Sequence, residues 1–360
     1  MPQPRSVIIG TGSCIPSLEV PNQAFADHTF FEDHGRPYPA GDTARIVAKF
    51  QEITDIAERR YAPADLVASD LAFEAGKQAL AAAGIDPETL DYLIVAHNFG
   101  DVRAGSRSPD QVPTLAARVK ARLRIANPFC VAYDLPFGCP GWLQAVIQAD
   151  YFLRSGEAKR ALVIGAETLS RVSDPCDRDS LIYADGAGAV VLEAQDHAEP
   201  VGILAHAVRS DTLDHSDLLH MGPSFDPAAE GRDLFIKMKG RKLYEYAIAT
   251  VPGLVRRSLE KAGLTLADVD KVLIHQANGK MDEAILKRLF RLYGIAEIPA
   301  GVMPMTVSWL GNSSVATVPT LLDLVVKGKL EGQTLSRGDV VVFASVGAGM
   351  HINSVVYRWT

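Results

Sequence analysis

Cysteine is scarce: four residues in 360, at Cys14, Cys130, Cys139 and Cys176, with no C-x-x-C pair among them. That excludes a disulfide-stapled scaffold and a thiolate metal ribbon, and it leaves free thiols of a reducing compartment. Long apolar runs are missing too. Nothing approaches the roughly 20 residues of a membrane-spanning helix, and the apolar run near the N-terminus, residues 7–9, is too short for a secretory leader. Neither sign of charge prevails. With 36 Lys+Arg against 43 Asp+Glu the formal net charge is −7, which speaks against a nucleic-acid scaffold or a polybasic membrane binder. The sequence reads as that of a cytoplasmic globular protein with no membrane span and no nucleic-acid partner.

What is present is a repeat. Residues 79–95, ALAAAGIDPETLDYLIV, match residues 258–274, SLEKAGLTLADVDKVLI, at an offset of 179. Leu80, Ala83, Gly84 and Asp91 fall on Leu259, Ala262, Gly263 and Asp270. Each copy reads as an amphipathic helix ended by a C-cap glycine, a short acidic link and a buried strand. The same offset lays ALVIGA (161–166) on VVVFAS (340–345). Two matched windows at one offset near half the chain length indicate duplication.

Apolar strand runs alternate with helical patterns in both halves. They fall at 6–12, 91–97, 160–167 and 188–194, then at 201–208, 271–277, 339–346 and 352–359. Near-continuous Val/Ile/Leu strands predict sheets covered on both faces. The expectation is an α/β protein of two βαβ-rich halves, 1–198 and 199–360, with mixed, mainly parallel sheets packed in layers. Segments 20–50 and 99–111 fit neither copy and read as binding or interface loops.

Cys139 stands in DLPFGCPGW, where a strand ends at Leu135 and a helix follows from about Gly141. Proline suits the first turn of a helix, so Cys139 falls at its N-terminus, where free N–H groups and the helix dipole favour a thiolate. The other cysteines lack that setting. His275 ends an apolar strand in VLIHQANGK, and Asn312 occupies a Gly-Asn-Ser turn; alone, each reads as a core or turn residue. Gly347 and Gly349 could let a backbone N–H approach a substrate oxygen. His28 and His34, among Asp27, Glu32 and Asp33, match no metal-site spacing and read as a solvated loop.

Taken in order, these motifs resemble the β-ketoacyl-acyl-carrier-protein synthase III family, which has a duplicated thiolase-like fold. The resemblance runs nearly end to end. IIGTGSCIP (8–16) is similar to the family's opening strand, and ITDIAERRYA (53–62) to its Gly-Ile-x-Glu-Arg-Arg loop, with Asp55 where glycine is usual. DLPFGCPGW (134–142) resembles the nucleophile motif and SDPCDRDSLIYADGAGAVVL (173–192) the segment after it. HQAN (275–278), GNSSVATVP (311–319) and GAG (347–349) complete the set.

The resemblance implies a catalytic triad of Cys139, His275 and Asn312, with an oxyanion held by the backbone N–H groups of Cys139 and Ala348. It implies an acyl-cysteine enzyme without cofactor or metal, acting on an acyl thioester primer (acyl-coenzyme A or acyl-carrier) and a malonyl- or 3-oxoacyl-carrier thioester. A homodimer and an acyl carrier protein partner are also implied. Arg178 matches one side of the family's coenzyme A adenine clamp. The usual tryptophan of the other side is absent, and Phe50 is the nearby aromatic. Lys280 falls where the family places a basic residue facing the carrier. Val112 stands where members often carry a bulky aromatic flooring the partner's acyl pocket, so a deeper pocket and medium or long primers are expected. The specific role is left between fatty-acid initiation and a specialised secondary-metabolite condensation, such as dialkylresorcinol- or cyclohexanedione-type ring formation. A non-catalytic partner subunit is the third alternative, which the intact triad disfavours.

Overall fold

The computed structural model describes residues 4–39, 41–231 and 233–360. Residues 1–3 of the N-terminal stretch and Ala40 of segment 20–50 lie outside the described residues. Five strands form the first large sheet: β1 (Arg5–Cys14), β2 (Tyr92–His97), β3 (Val131–Pro136), β4 (Arg160–Thr168) and β5 (Asp185–Gln195), in the order β1-β5-β4-β2-β3. The second has β6 (Gly202–Ser210), β7 (Lys271–Ile274), β8 (Val340–Gly347) and β9 (His351–Arg358), in the order β6-β9-β8-β7. The strands expected from the apolar runs are all there.

Their directions are more mixed than expected. β2 runs parallel to β3 and β4, and β7 to β8. β5 pairs antiparallel with β1 and β4, and β9 with β6 and β8. The expectation of mainly parallel sheets is corrected by connection length. Only residues 348–350 separate β8 from β9, far fewer than the dozen or so a parallel crossover needs. The unbroken apolar runs reflect burial on both faces: every residue of β8 is buried, and burial does not depend on strand direction.

Helices make the covering layers. They are α1 (Thr43–Thr54), α2 (Ala68–Ala83), α3 (Gly141–Ser155), α4 (Gly240–Ala262), α5 (Gly279–Leu292) and α6 (Thr317–Val326). α3 and α6 lie between the sheets, since Ile147, Val318 and Leu322 share one core with Ile94 and Val163 of the first sheet and Val341 and Phe343 of the second. α2 covers the outer face of the first sheet, and α4 and α5 that of the second. α2 is rich in alanine because β1 lies almost on it: a Cβ at Gly12 would stand 2.2 Å from the Ala75 carbonyl oxygen. The duplicated helices, α2 and α4, both end on a left-handed glycine, Gly84 at φ 63° and Gly263 at φ 69°.

Polar ties join the ends of the chain. Asp323 of α6 accepts from Thr11 Oγ1 at 2.7 Å and Ser13 Oγ at 2.6 Å. The Tyr357 hydroxyl of β9 accepts from the Ile8 N–H at 2.8 Å. Among the described residues no helix is long and apolar enough to cross a membrane.

Candidate active site

Cys139 directly precedes Pro140, the N-cap of α3. Its surroundings are backbone rather than side chain. A Cβ at Gly347 would lie 2.5 Å from the Cys139 nitrogen, and one at Gly138 would lie 2.7 Å from the Ala348 nitrogen. Only glycine permits that approach, and it brings the Cys139 and Ala348 backbones side by side. Gly349 turns the chain with φ 76°.

His275 follows the end of β7, its N–H donating to the Ala344 carbonyl at 2.8 Å. Asn312 is held by backbone bonds on both sides, donating to Ile182 O at 2.9 Å and accepting from Ala184 N at 2.8 Å. Its Oδ1 accepts from the Ser314 N–H at 2.8 Å, which leaves the amide NH2 as the free functional end. Elements far apart in sequence thus deliver three side chains and one backbone group to one place. Cys139, His275, Asn312 and Ala348 line a single inner chamber of about 40 Å³. A larger cavity of about 800 Å³ shares Ile182, Met238, Leu243, Ala277 and Met281 with that chamber and carries Arg45, Lys49, Arg178 and Arg241 in its wall.

Burial sets the electrostatics. The Cys139 thiol is pushed up to about 11 by desolvation, against the pull of a hydrogen bond from Ser314 Oγ at 3.3 Å. The helix end expected to favour a thiolate is present, while desolvation of the partly exposed Cys139 pulls toward the thiol. Desolvation also lowers His275 to about 4. The ring is neutral at physiological pH, with one N–H to donate, and its Nδ1 is buried without a partner among the described residues.

The remaining predicted residues fall at the periphery. The Arg178 guanidinium lies 5.2 Å from the centre of the Tyr38 ring. Phe50 packs in a buried cluster, 5.8 Å from the Arg59 guanidinium, and lines the large cavity together with Arg178 and Tyr38; the ring directly against Arg178 is that of Tyr38. Lys280 is exposed in the first turn of α5, beside the cavity residues Asn278 and Met281. Val112 is 87% exposed and lines none of this chain's cavities described above. The chamber of a single chain is small, about 40 Å³, and the deeper pocket expected from Val112 concerns the partner's chamber. Loop 99–111 carries a two-strand hairpin, Asp101–Val102 with Pro109–Asp110. His34 pairs with Asp33 and Glu32, and His28 Nδ1 lies 3.1 Å from the Pro175 carbonyl oxygen; no metal-binding group of three was found among the described residues.

Sequence reasoning missed four residues: Tyr38, Asn98, Glu167 and Ser314. Only Glu167 carried a signal, an acid closing an otherwise apolar strand run. It is fully buried, and desolvation raises it to about 7.

The chain and its fold have counterparts among known proteins. Residues 133–212 match the profile of 3-oxoacyl-[acyl-carrier-protein] synthase III, and residues 259–359 match its C-terminal profile. The chain is 35% identical over 360 residues to β-ketoacyl-[acyl-carrier-protein] synthase III of Erythrobacter litoralis, covering 99% of both chains. Among solved structures, 3-oxoacyl-[acyl-carrier-protein] synthase III of Aquifex aeolicus superposes with a TM-score of 0.78 at 30% identity, covering 98% of this chain and 100% of that one. The priming β-ketosynthase of a polyketide pathway gives 0.80 at 27% identity, covering 100% and 98%. With the relatives matched end to end, the chain belongs to the β-ketoacyl-[acyl-carrier-protein] synthase III family of acyl-transferring condensing enzymes.

Proposed function

We propose that the chain performs a decarboxylating Claisen condensation between thioesters, with Cys139 carrying the acyl group. One observation carries this reading: a cysteine at a helix N-terminus, a neutral imidazole and a carboxamide donor share one small chamber at the inner end of a large cavity. The Cys139 sulphur adds to the carbonyl of an acyl primer, and the oxyanion accepts from the N–H groups of Cys139 and Ala348. The primer's C–S bond then breaks, its thiol leaving with the proton that Cys139 gave up. A malonyl-carrier thioester enters with its carbonyl oxygen between His275 and Asn312. Loss of carbon dioxide leaves an enolate, which those donors stabilise in a site that excludes water. Its carbon attacks the acyl carbonyl, Cys139 is released, and a 3-oxoacyl thioester departs.

Arg178 and Tyr38 mark the side of the mouth where a coenzyme A primer would lie, and exposed Lys280 suits an acidic carrier protein. The sheet-edge strand β3, with Phe129 83% exposed beside it, supports a homodimer of two such two-half chains (1–198 and 199–360). Val112 would then face the partner's acyl chamber. A specialised condensation in polyketide assembly, with a 3-oxoacyl-carrier as second substrate, is the second reading; similarity to a polyketide priming β-ketosynthase favours it.

The half-reactions test the assignment. His275→Ala and Asn312→Ala are expected to slow malonyl decarboxylation by about 10²–10³ while Cys139 still takes an acyl group. Wild-type decarboxylation in both variants would remove the donor roles.

A further inference from the structure

Asn98, just past the end of β2, and Ser314, in the turn before α6, meet beside the nucleophile. Asn98 donates through its backbone N–H at 2.9 Å and through Nδ2 to one oxygen of buried Glu167, at the end of β4. The other Nδ2 hydrogen goes to Ser314 Oγ at 2.9 Å. The Ser314 oxygen is therefore an acceptor toward Asn98, and its single hydrogen has the Cys139 sulphur, 3.3 Å away, as partner. Ser314 also holds φ 53°, a left-handed conformation a non-glycine residue adopts only when its surroundings impose it. We propose that Ser314 is a further catalytic residue, donating its hydroxyl hydrogen to the Cys139 sulphur, and that Asn98 is the positioning residue that turns it there. This rests on the reading of Cys139 as nucleophile.

The chemistry is that of a thiolate in a dry site. When Cys139 attacks, or is released after condensation, negative charge collects on sulphur, and a neutral donor there strengthens as the charge grows. The bond is local to sulphur. His275 and Asn312 serve the other carbonyl, and Ser314 supports Asn312 only through its backbone N–H, which survives side-chain substitution. The other titratable groups facing the sulphur are Glu167, Tyr183 and His275, and Glu167 is in turn faced by His97 and Asp185. All five keep their surroundings in the Ser314 variants, whereas Asn98→Ala also removes the side-chain bond that lowers Glu167.

The experiment is alkylation of Cys139 by iodoacetamide against pH, read by mass spectrometry, on variants checked for folding by thermal melting. Ser314→Ala and Ser314→Gly both delete the hydroxyl, and glycine also suits the left-handed backbone should alanine fail to fold. Each is expected to move the midpoint up by about one pH unit, a roughly tenfold slower alkylation at pH 8. Asn98→Ala should shift the midpoint the same way by less, and add nothing in the Ser314→Ala background. Wild-type midpoints in both Ser314 variants, or Asn98 and Ser314 shifts that add in full, would overturn the proposal. Failure of the underlying reading is distinct: wild-type Cys139 would then take no acyl group from a thioester, whatever its alkylation profile.

Discussion

Glu167 and Cys139 are an acid and a thiol sharing one dry region, and both are pushed up by the same desolvation. A carboxyl held near 7 in the folded chain titrates near 4.5 when unfolded. The native state therefore holds the proton more tightly. The stabilisation is complete below about pH 4.5 and is lost as pH rises through about 7. Glu167→Gln does not titrate. Its stability relative to wild type is expected to rise across that window and level off above about pH 8, by on the order of 2–3 kcal/mol. Urea unfolding at pH 5 and pH 8 measures it, and a pH-independent difference would contradict the assignment. Cys139 was legible in the sequence because glycine and proline punctuate a strand-to-helix turn around it. Ser314 was not, because its hydroxyl meets a sulphur 175 residues away and no local pattern encodes that distance.

Elements, more than single residues, build the cavity wall. Arg59, from the Glu-Arg-Arg segment, is fully buried and ties three stretches together. It donates to Leu181 O at 3.1 Å, Val20 O at 3.0 Å and Asn22 Oδ1 at 2.7 Å, and it faces the Phe25 ring at 4.8 Å. Phe50 of α1 packs in the same cluster, so Arg59 fixes the wall that α1 gives to the cavity. Arg59→Ala removes the donor from two buried acceptors and one part-buried one and leaves a void, a loss expected at about 3–5 kcal/mol by urea unfolding. KM for thioester should rise more than kcat falls, because α1 lines the cavity rather than the chamber; the opposite split would place Arg59 in the chemistry. The strands themselves were readable from their apolar runs. Their directions were not, since residues buried on both faces look alike in parallel and antiparallel pairs.

At the scale of the whole molecule, one edge of the first sheet carries exposed apolar side chains. β3 pairs only with β2, and Phe129 and Val131, 83% and 49% exposed, stand at its start. Unpaired N–H and C=O groups beside exposed apolar side chains invite a second copy. Wild type is expected to sediment at twice the 38.8 kDa chain mass, and Phe129→Glu with Val131→Lys to sediment as a monomer. A monomeric wild type at micromolar concentration would refute the dimer. The chamber of one chain measures about 40 Å³ and meets the cavity of about 800 Å³. In the proposed dimer a long acyl chain would extend toward the interface, where Val112 would meet it. The resemblance at Val112 already pointed to that place, whereas the small chamber of one chain is a property of the closed fold that no local pattern encodes.

Everything above turns on one covalent bond. The direct measurement is incubation of the full chain with an acyl thioester, followed by peptide mapping of the adduct. The account predicts a single acyl group on Cys139, absent in Cys139→Ala. An acyl group on Cys14, Cys130 or Cys176 that persists in Cys139→Ala, with none on Cys139 in the wild type, would contradict it.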